Sequence, residues 1–121
     1  MTPFGEILRR AVEGTPGAIG GAFADAEGEM VDSFADYDAY EWAVLTAHYG
    51  VVLSLIHRCL GTRHHGGPEY FIAQHSRLDV IVHTMPGGYY ALLAVAKPTP
   101  PLGCALIRLR EAALALHREM A

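Results

Sequence analysis

The chain lacks the marks of most enzyme and metal chemistry. It has two cysteines in 121 residues, Cys59 and Cys104, and no Cys-Xaa-Xaa-Cys spacing that would suit zinc or a redox pair. No His-Glu-Xaa-Xaa-His helix motif occurs. Gly17, Gly20 and Gly21 make no dinucleotide fingerprint, and no phosphate-loop lysine follows them. There is no nucleophile elbow. Charge is sparse as well: 18% of residues are charged, with nine Lys and Arg against thirteen Asp and Glu, for a net charge of −4. A nucleic acid or an anionic membrane therefore gets no electrostatic support as a partner. The first ten residues have no long apolar core behind a basic head, which argues against an export signal. No run approaches the ~18 apolar residues of a membrane span. Without an export signal, the two cysteines are expected to be reduced core residues, and the chain is expected in the cytoplasm.

What is abundant is apolar side chain, at 51% of the residues. A chain of this length makes one domain, residues 1–121. That apolar share is high for a small monomer and suggests surface buried in an assembly.

Local signals divide the chain cleanly. Thr2 caps a first helix with Pro3 at its opening position. Phe4, Ile7, Leu8, Ala11 and Val12 form its apolar stripe, and Gly14 ends it. Ala18 to Ala24 reads as a strand of small residues. Gly20 and Gly21 suit a strand only where something packs against the backbone. Residues 25–29 form a hairpin turn with Gly28 placed for positive φ, and Met30 to Phe34 return as a second strand. Asp36 and Asp38 favour the start of a long helix, Tyr40 to Leu60, which Gly61 stops. Residues 62–67 are loop. Strands follow at 69–75, at Leu78 to His83, and, after a Pro-Gly turn, at 89–96. The prolines at 98, 100 and 101 end the last strand. A final helix runs from about Leu102 to Met120, with Leu102, Leu106, Leu109, Ala113, Leu116 and Met120 as its stripe.

The order is α-β-β-α-β-β-β-α, an α+β fold. It predicts a five-stranded antiparallel sheet with the two terminal helices on one face and the long second helix on the other. That second helix is the anomaly. At about 100° per residue, Val51, Val44, Leu55, Cys59, Val52, Leu45, Ile56, Tyr49, Trp42, Leu60 and Leu53 spread over an arc of roughly 200°. Packing on one sheet needs a stripe of about 100° or somewhat more. The surplus is expected to meet a second copy or a partner. The remaining arc carries the small residues Ala43, Ala47, Gly50 and Ser54, with Thr46 and His57 beside them, and would let another backbone come close.

The seven histidines do not add up to a site. His64 and His65 are sequence neighbours, which seldom share one metal. His48 and His57 face differently on the helix. His75 and His83 fall in adjoining strands and could meet. Ser76, Asp79 and His83 are a hydrolytic trio by residue type alone. Asp25, Glu27 and Glu29 alternate as calcium ligands do, but the loop glycine and the distal glutamate are out of place. The acids between Asp25 and Glu41 read as a solvated turn and helix start, or as an acidic rim for a basic partner. No catalytic, cofactor-binding or metal-binding residue is assigned.

Residues 16–31, the long second helix, the three-strand meander and residues 102–112 together resemble the Roadblock family. That family includes dynein light chains and bacterial regulators of Ras-like GTPases. The likeness spans about residues 4 to 120. It is strongest at Pro16-Gly17-Ala18, at the Asp25–Glu29 hairpin and at Leu102-Gly103. It implies a profilin-like sandwich and a homodimer, with the sheet continued through the third strand of each copy and the second helices paired. It also implies a non-enzymatic regulator or scaffold that binds a small Ras-like GTPase, some members speeding its hydrolysis. Tyr49, Val52, Ile56, Tyr70 and Ile72 are then the expected dimer interface. Trp42, Ala43, Ala47, Gly50 and Ser54 are the expected partner-binding residues. The alternatives are a small-ligand sensor or hydrolase on the same fold, or an adaptor for a partner that is not a GTPase.

Overall fold

The structure is a computed structural model and describes residues 2–60, 64–98 and 100–121. Helix α1 spans Pro3–Glu13. Thr2 Oγ1 accepts the Gly5 N–H at 3.0 Å, and Gly14 closes the other end by donating to the Arg10 carbonyl. Strands β1 (Ala18–Ala24) and β2 (Met30–Ala35) form a hairpin. Asp25 shapes its turn by accepting the Glu27 and Glu29 N–H groups, and Gly28 sits at φ 83°. Helix α2 spans Ala39–Leu60, and Asp38 accepts the Glu41 N–H at its start. The meander β3 (Tyr70–Gln74), β4 (Leu78–Thr84) and β5 (Tyr90–Ala96) follows, with a single 3-10 turn at Pro86–Gly88 before β5. Helix α3 spans Gly103–Met120. The expected stop at Gly61, the first two residues of the expected loop at 62–67, and Thr99 lie outside the described residues.

The strands make one antiparallel sheet in the order β2-β1-β5-β4-β3. Each face has its own core. Leu8 and Val12 of α1 and Leu109 and Leu116 of α3 pack with Phe23, Ile81 and Leu93. On the other face, Trp42, Tyr49 and Leu53 of α2 pack with Val80, Val82 and Leu92. The terminal helices therefore share one face and α2 has the other, as the element order predicts. Helix α1 lies over β1 and β2, and α3 lies over β4 and β5 about equally.

The paired glycines of β1 take up close approaches from both layers. A Cβ on Gly20 would stand 2.8 Å from the Trp42 ring of α2, while one on Gly21 would meet Val12 of α1 at 3.3 Å. Two expectations fail. Cys59 and Cys104 are not core residues; both are free and exposed, since each falls on the outward side of its helix. The absence of a long apolar run also understates α2. With a mean hydropathy of 1.4 it is long and apolar enough, by length and composition, to cross a membrane, yet only 22% of that stretch is buried.

Candidate partner-binding surface

Helix α2 turns a mixed side inward. Its buried residues are Trp42, Thr46, Tyr49, Gly50 and Leu53, spaced four, three, one and three apart along one stripe. Trp42 is 2% exposed. Gly50 abuts the hairpin turn: a Cβ there would lie 2.8 Å from the Tyr90 hydroxyl and 2.9 Å from Gly28 Cα. Ala47 borders the same contact, because its backbone would meet a Cβ on Gly28. The Tyr90 hydroxyl donates to the Thr46 carbonyl at 2.6 Å. Burial, helped by the charge of Asp25, pushes the pKa of that hydroxyl up to about 12. Tyr90 is thus a fixed donor locking α2 to the sheet, not a base. The Tyr49 hydroxyl bonds His75, and its ring lies 6.0 Å from Phe71; burial raises its pKa too.

The greasy side of α2 faces outward instead. Val51 is 60% exposed, Leu55 50% and Tyr40 74%, with Val52 and Leu60 also exposed. This places the expected site residues differently from the sequence reading. Trp42 and Gly50 are not available to a partner, because both are packed on the chain's own β1–β2 hairpin side. Tyr49 is not on an outer interface, because it fills the core beneath the helix. Of the remainder, Ala43, Ser54 and Val52 are exposed, while Ala47 and Ile56 are half-buried. Tyr70 and Ile72 are each 39% exposed on β3, whose outer edge has no strand beside it among the described residues. The sequence reading left Ile107 and Leu114 out of every site, and both are exposed on α3. Their seven-residue spacing, outside the stripe at Leu109 and Leu116, is the signal that marks a second apolar strip.

The suspected chemical groupings come apart. Asp79 and His83 lie four residues apart on one strand, about 13 Å, too far to share a serine. Asp79 is buried, with the Lys97 ammonium 3.3 Å from its Oδ1, a charge contact without hydrogen-bond alignment. His83 Nδ1 donates to the Thr84 carbonyl at 2.9 Å, leaving Nε2 to accept from Arg110 Nε at 3.3 Å. His75 does not meet His83. The β3–β4 register pairs Tyr70 with His83, so His75 sits at the opposite end of the hairpin, on Tyr49. Among the described residues no three His, Cys, Asp or Glu side chains are grouped to hold a metal. Two clefts of about 330 and 350 Å³ lie between α1 and α3 and beneath the start of α3. The first is rimmed by Arg10, Arg108 and Glu111, of which Arg108 and Glu111 pair with each other at 2.7 Å, and the second has Thr15 and Cys104 as its polar side chains.

No family model matches the chain, and no curated protein matches it. Solved structures do. MglB of Myxococcus xanthus superposes at a TM-score of 0.83, with 11% identity over 99% of this chain and 96% of that one. The gliding protein MglB of Thermus thermophilus gives 0.80, with 19% identity over 96% and 88%. A Roadblock/LC7 domain from Streptomyces avermitilis gives 0.80, with 12% identity over 95% of each chain. At such identities the likeness is one of architecture, and it extends over nearly the whole chain. Together with the strand order and the placement of three helices on two faces, it establishes that this chain has the Roadblock fold.

Proposed function

We propose that the chain is a non-enzymatic, homodimeric regulator or scaffold for a small Ras-like GTPase. The observation that carries this reading is the outward apolar arc of α2, with Val51 and Leu55 at its centre. Fully burying a Val or Leu side chain is worth about 1.5–3 kcal/mol relative to leaving it in water. An arc of several such residues on one helix is thus a strong drive to associate, and it is self-complementary about a two-fold axis. The free edge of β3 supplies a second contact, since two such edges can pair their open backbone groups. The two contacts together describe one dimer, in which the sheet continues from copy to copy and the α2 helices come together on one side.

The GTPase follows from the resemblance to bacterial Roadblock regulators. It belongs on the α2 side, against the helices and the neighbouring β1–β2 hairpin. Glu27 and Glu29 on that hairpin, with Glu41 at the start of α2, form an acidic rim there that suits a basic partner surface. The test is titration of the purified chain with Ras-like GTPases encoded near its gene, loaded with GDP or a non-hydrolysable GTP analogue. Saturable binding that differs between the two nucleotides supports the proposal. Binding indifferent to nucleotide would point to an adaptor, and no binding to any of them would remove the GTPase from the reading.

A further inference from the structure

Strand β3 restricts how a second copy can join its edge. In an antiparallel ladder, residues that exchange backbone bonds with the neighbouring strand alternate with residues whose N–H and C=O point the other way. The His75 N–H donates to the Leu78 carbonyl, and the Thr84 N–H donates to the Glu69 carbonyl. With the register that runs from Tyr70–His83 to Gln74–Asp79, this commits the backbones of Glu69, Phe71, Ala73 and His75 to β4. The backbone groups of Tyr70, Ile72 and Gln74 therefore face outward. Pro68, the next position in that series, has no N–H to add. The open edge is thus three residues long and centred on Ile72.

One register uses the whole of that edge. With a two-fold axis normal to the sheet, Ile72 lies opposite the partner's Ile72, and Tyr70 and Gln74 lie opposite the partner's Gln74 and Tyr70. At two bonds per pair this makes about six backbone hydrogen bonds, whereas a slip of two residues leaves about four. The same register sets the pairs in between. Phe71 faces the partner's Ala73, and Glu69 faces the partner's His75. These are the closer, non-hydrogen-bonded pairs, with Cα atoms about 4.5 Å apart. They lie on the α2 side, because Phe71 and Ala73 pack in the α2 core and His75 bonds Tyr49. Glu69 shares that side by strand alternation and is exposed.

His75 is held on one side only. Its Nε2 meets the Tyr49 hydroxyl of α2, and the two rings stand edge to face at 6.0 Å and 85°. Burial keeps the Tyr49 phenol protonated, and a hydroxyl donates to a neutral imidazole or accepts from a charged one. The other charged and titratable groups at this end are accounted for. Arg77 is exposed in the turn after His75, and His48 is exposed on α2. Asp79 is on the opposite face, beside Val95, and is held there by Lys97. We infer that β3 joins β3 of a second copy with Ile72 against Ile72, and that each copy's Glu69 completes a Tyr49–His75–Glu69 chain in the other, so that the dimer takes up protons as it forms. An opposite charge favours the protonated imidazole. By linkage the dimer tightens as pH falls through the ordinary histidine range, about 6.5. This rests on the dimer proposed above, but not on the GTPase. Because Tyr49 belongs to α2, the chain also ties the shared strand to the helix that carries the exposed apolar arc.

Sedimentation equilibrium at pH 8.0 and at pH 5.5 gives the dimer dissociation constant under each condition. Cross-strand charge pairs are individually small, but the two-fold makes two of them, so the constant should be about fivefold lower at pH 5.5. Glu69→Gln and His75→Gln should each abolish that difference. Glu69→Lys should reverse it, since a cation then opposes the charged imidazole. The register is read separately, and at any affinity, by oxidising an equimolar mixture of Glu69→Cys and His75→Cys chains made in a Cys59→Ser/Cys104→Ser background. A disulfide should join unlike chains, because a pair about 4.5 Å apart at Cα is within disulfide reach. Cross-linking of Glu69→Cys to Arg77→Cys instead would mean a slipped register and overturns the inference. So does a dimer indifferent to pH, one that keeps its pH dependence in both Gln variants, or one that Glu69→Lys weakens equally at both pH values; each leaves the dimer standing. A wild-type chain that is monomeric at both pH values overturns the dimer as well.

Discussion

Helices α1 and α2 lie on opposite faces of the same sheet and differ in what they show to water. Helix α1 is complete in one chain. Leu8, Ala11 and Val12 are buried, and its outer side is a ladder of charge in which Arg9 pairs with Glu6 and with Glu13, the latter at 2.6 Å. Helix α2 buries its own stripe equally well, yet its outer side is Val51, Val52 and Leu55 instead of ion pairs. The same sheet thus carries one helix with a charged outer side and one with an apolar outer side. That difference is the basis of the dimer proposed above, since large exposed apolar surface commonly marks a place where another chain binds.

The contrast can be broken from the inside outward. The largest effect is expected at Trp42→Ala, which empties the packing over Gly20 and should cost about 3–5 kcal/mol in urea unfolding. Gly50→Leu comes next. Its side chain must enter the contact with Gly28 and the Tyr90 hydroxyl, at a cost of about 1–3 kcal/mol or more, so stability falls even with no partner present. If that variant were as stable as wild type, the inward side of α2 would be misplaced. Val51→Asp/Leu55→Asp should leave each chain folded by circular dichroism while halving the particle mass in solution. The same exchange on the outer side of α1, Arg9→Ala, should change neither mass nor unfolding midpoint measurably, because exposed ion pairs contribute little.

A pH series sharpens the inner half of the comparison. The Tyr90 hydroxyl keeps its proton in the folded chain up to about 12, against 10.0 for a free tyrosine. Between those values the unfolded chain binds fewer protons than the folded one, so stability is intact below the ordinary tyrosine range and declines as pH rises through it. Tyr90→Phe should flatten that decline while lowering stability at neutral pH through the lost bond to Thr46. Unfolding curves from pH 8 to 11.5 measure both.

Much of the fold was legible in the residues. Thr2 and Pro3 begin α1, Gly28 turns the hairpin, and the apolar run at residues 89–96 makes β5 at the centre of the sheet, each through a local signal with one structural answer. The inward face of α2 was not legible, for a physical reason. Apolarity says that a side chain avoids water, not whose surface it meets. The wheel put Trp42, Tyr49 and Leu53 in one apolar arc with Val51 and Leu55, and only the first three meet the sheet; beside them the small residues Gly50 and Ala47, read as an outer surface, fit against the Gly28 turn. The pairing of a helix glycine with a hairpin glycine is a contact between distant segments that no single segment displays. Ile107 and Leu114 were passed over because they lie across α3 from a stripe that already satisfied the helix.

The most direct measurement is the mass of the wild-type chain by sedimentation equilibrium at micromolar concentration, with Val51→Asp/Leu55→Asp alongside. The account predicts a particle of twice the 13.1 kDa chain for the wild type and a single chain for the variant. A wild-type chain that sediments as a monomer with α2 exposed to water would contradict it.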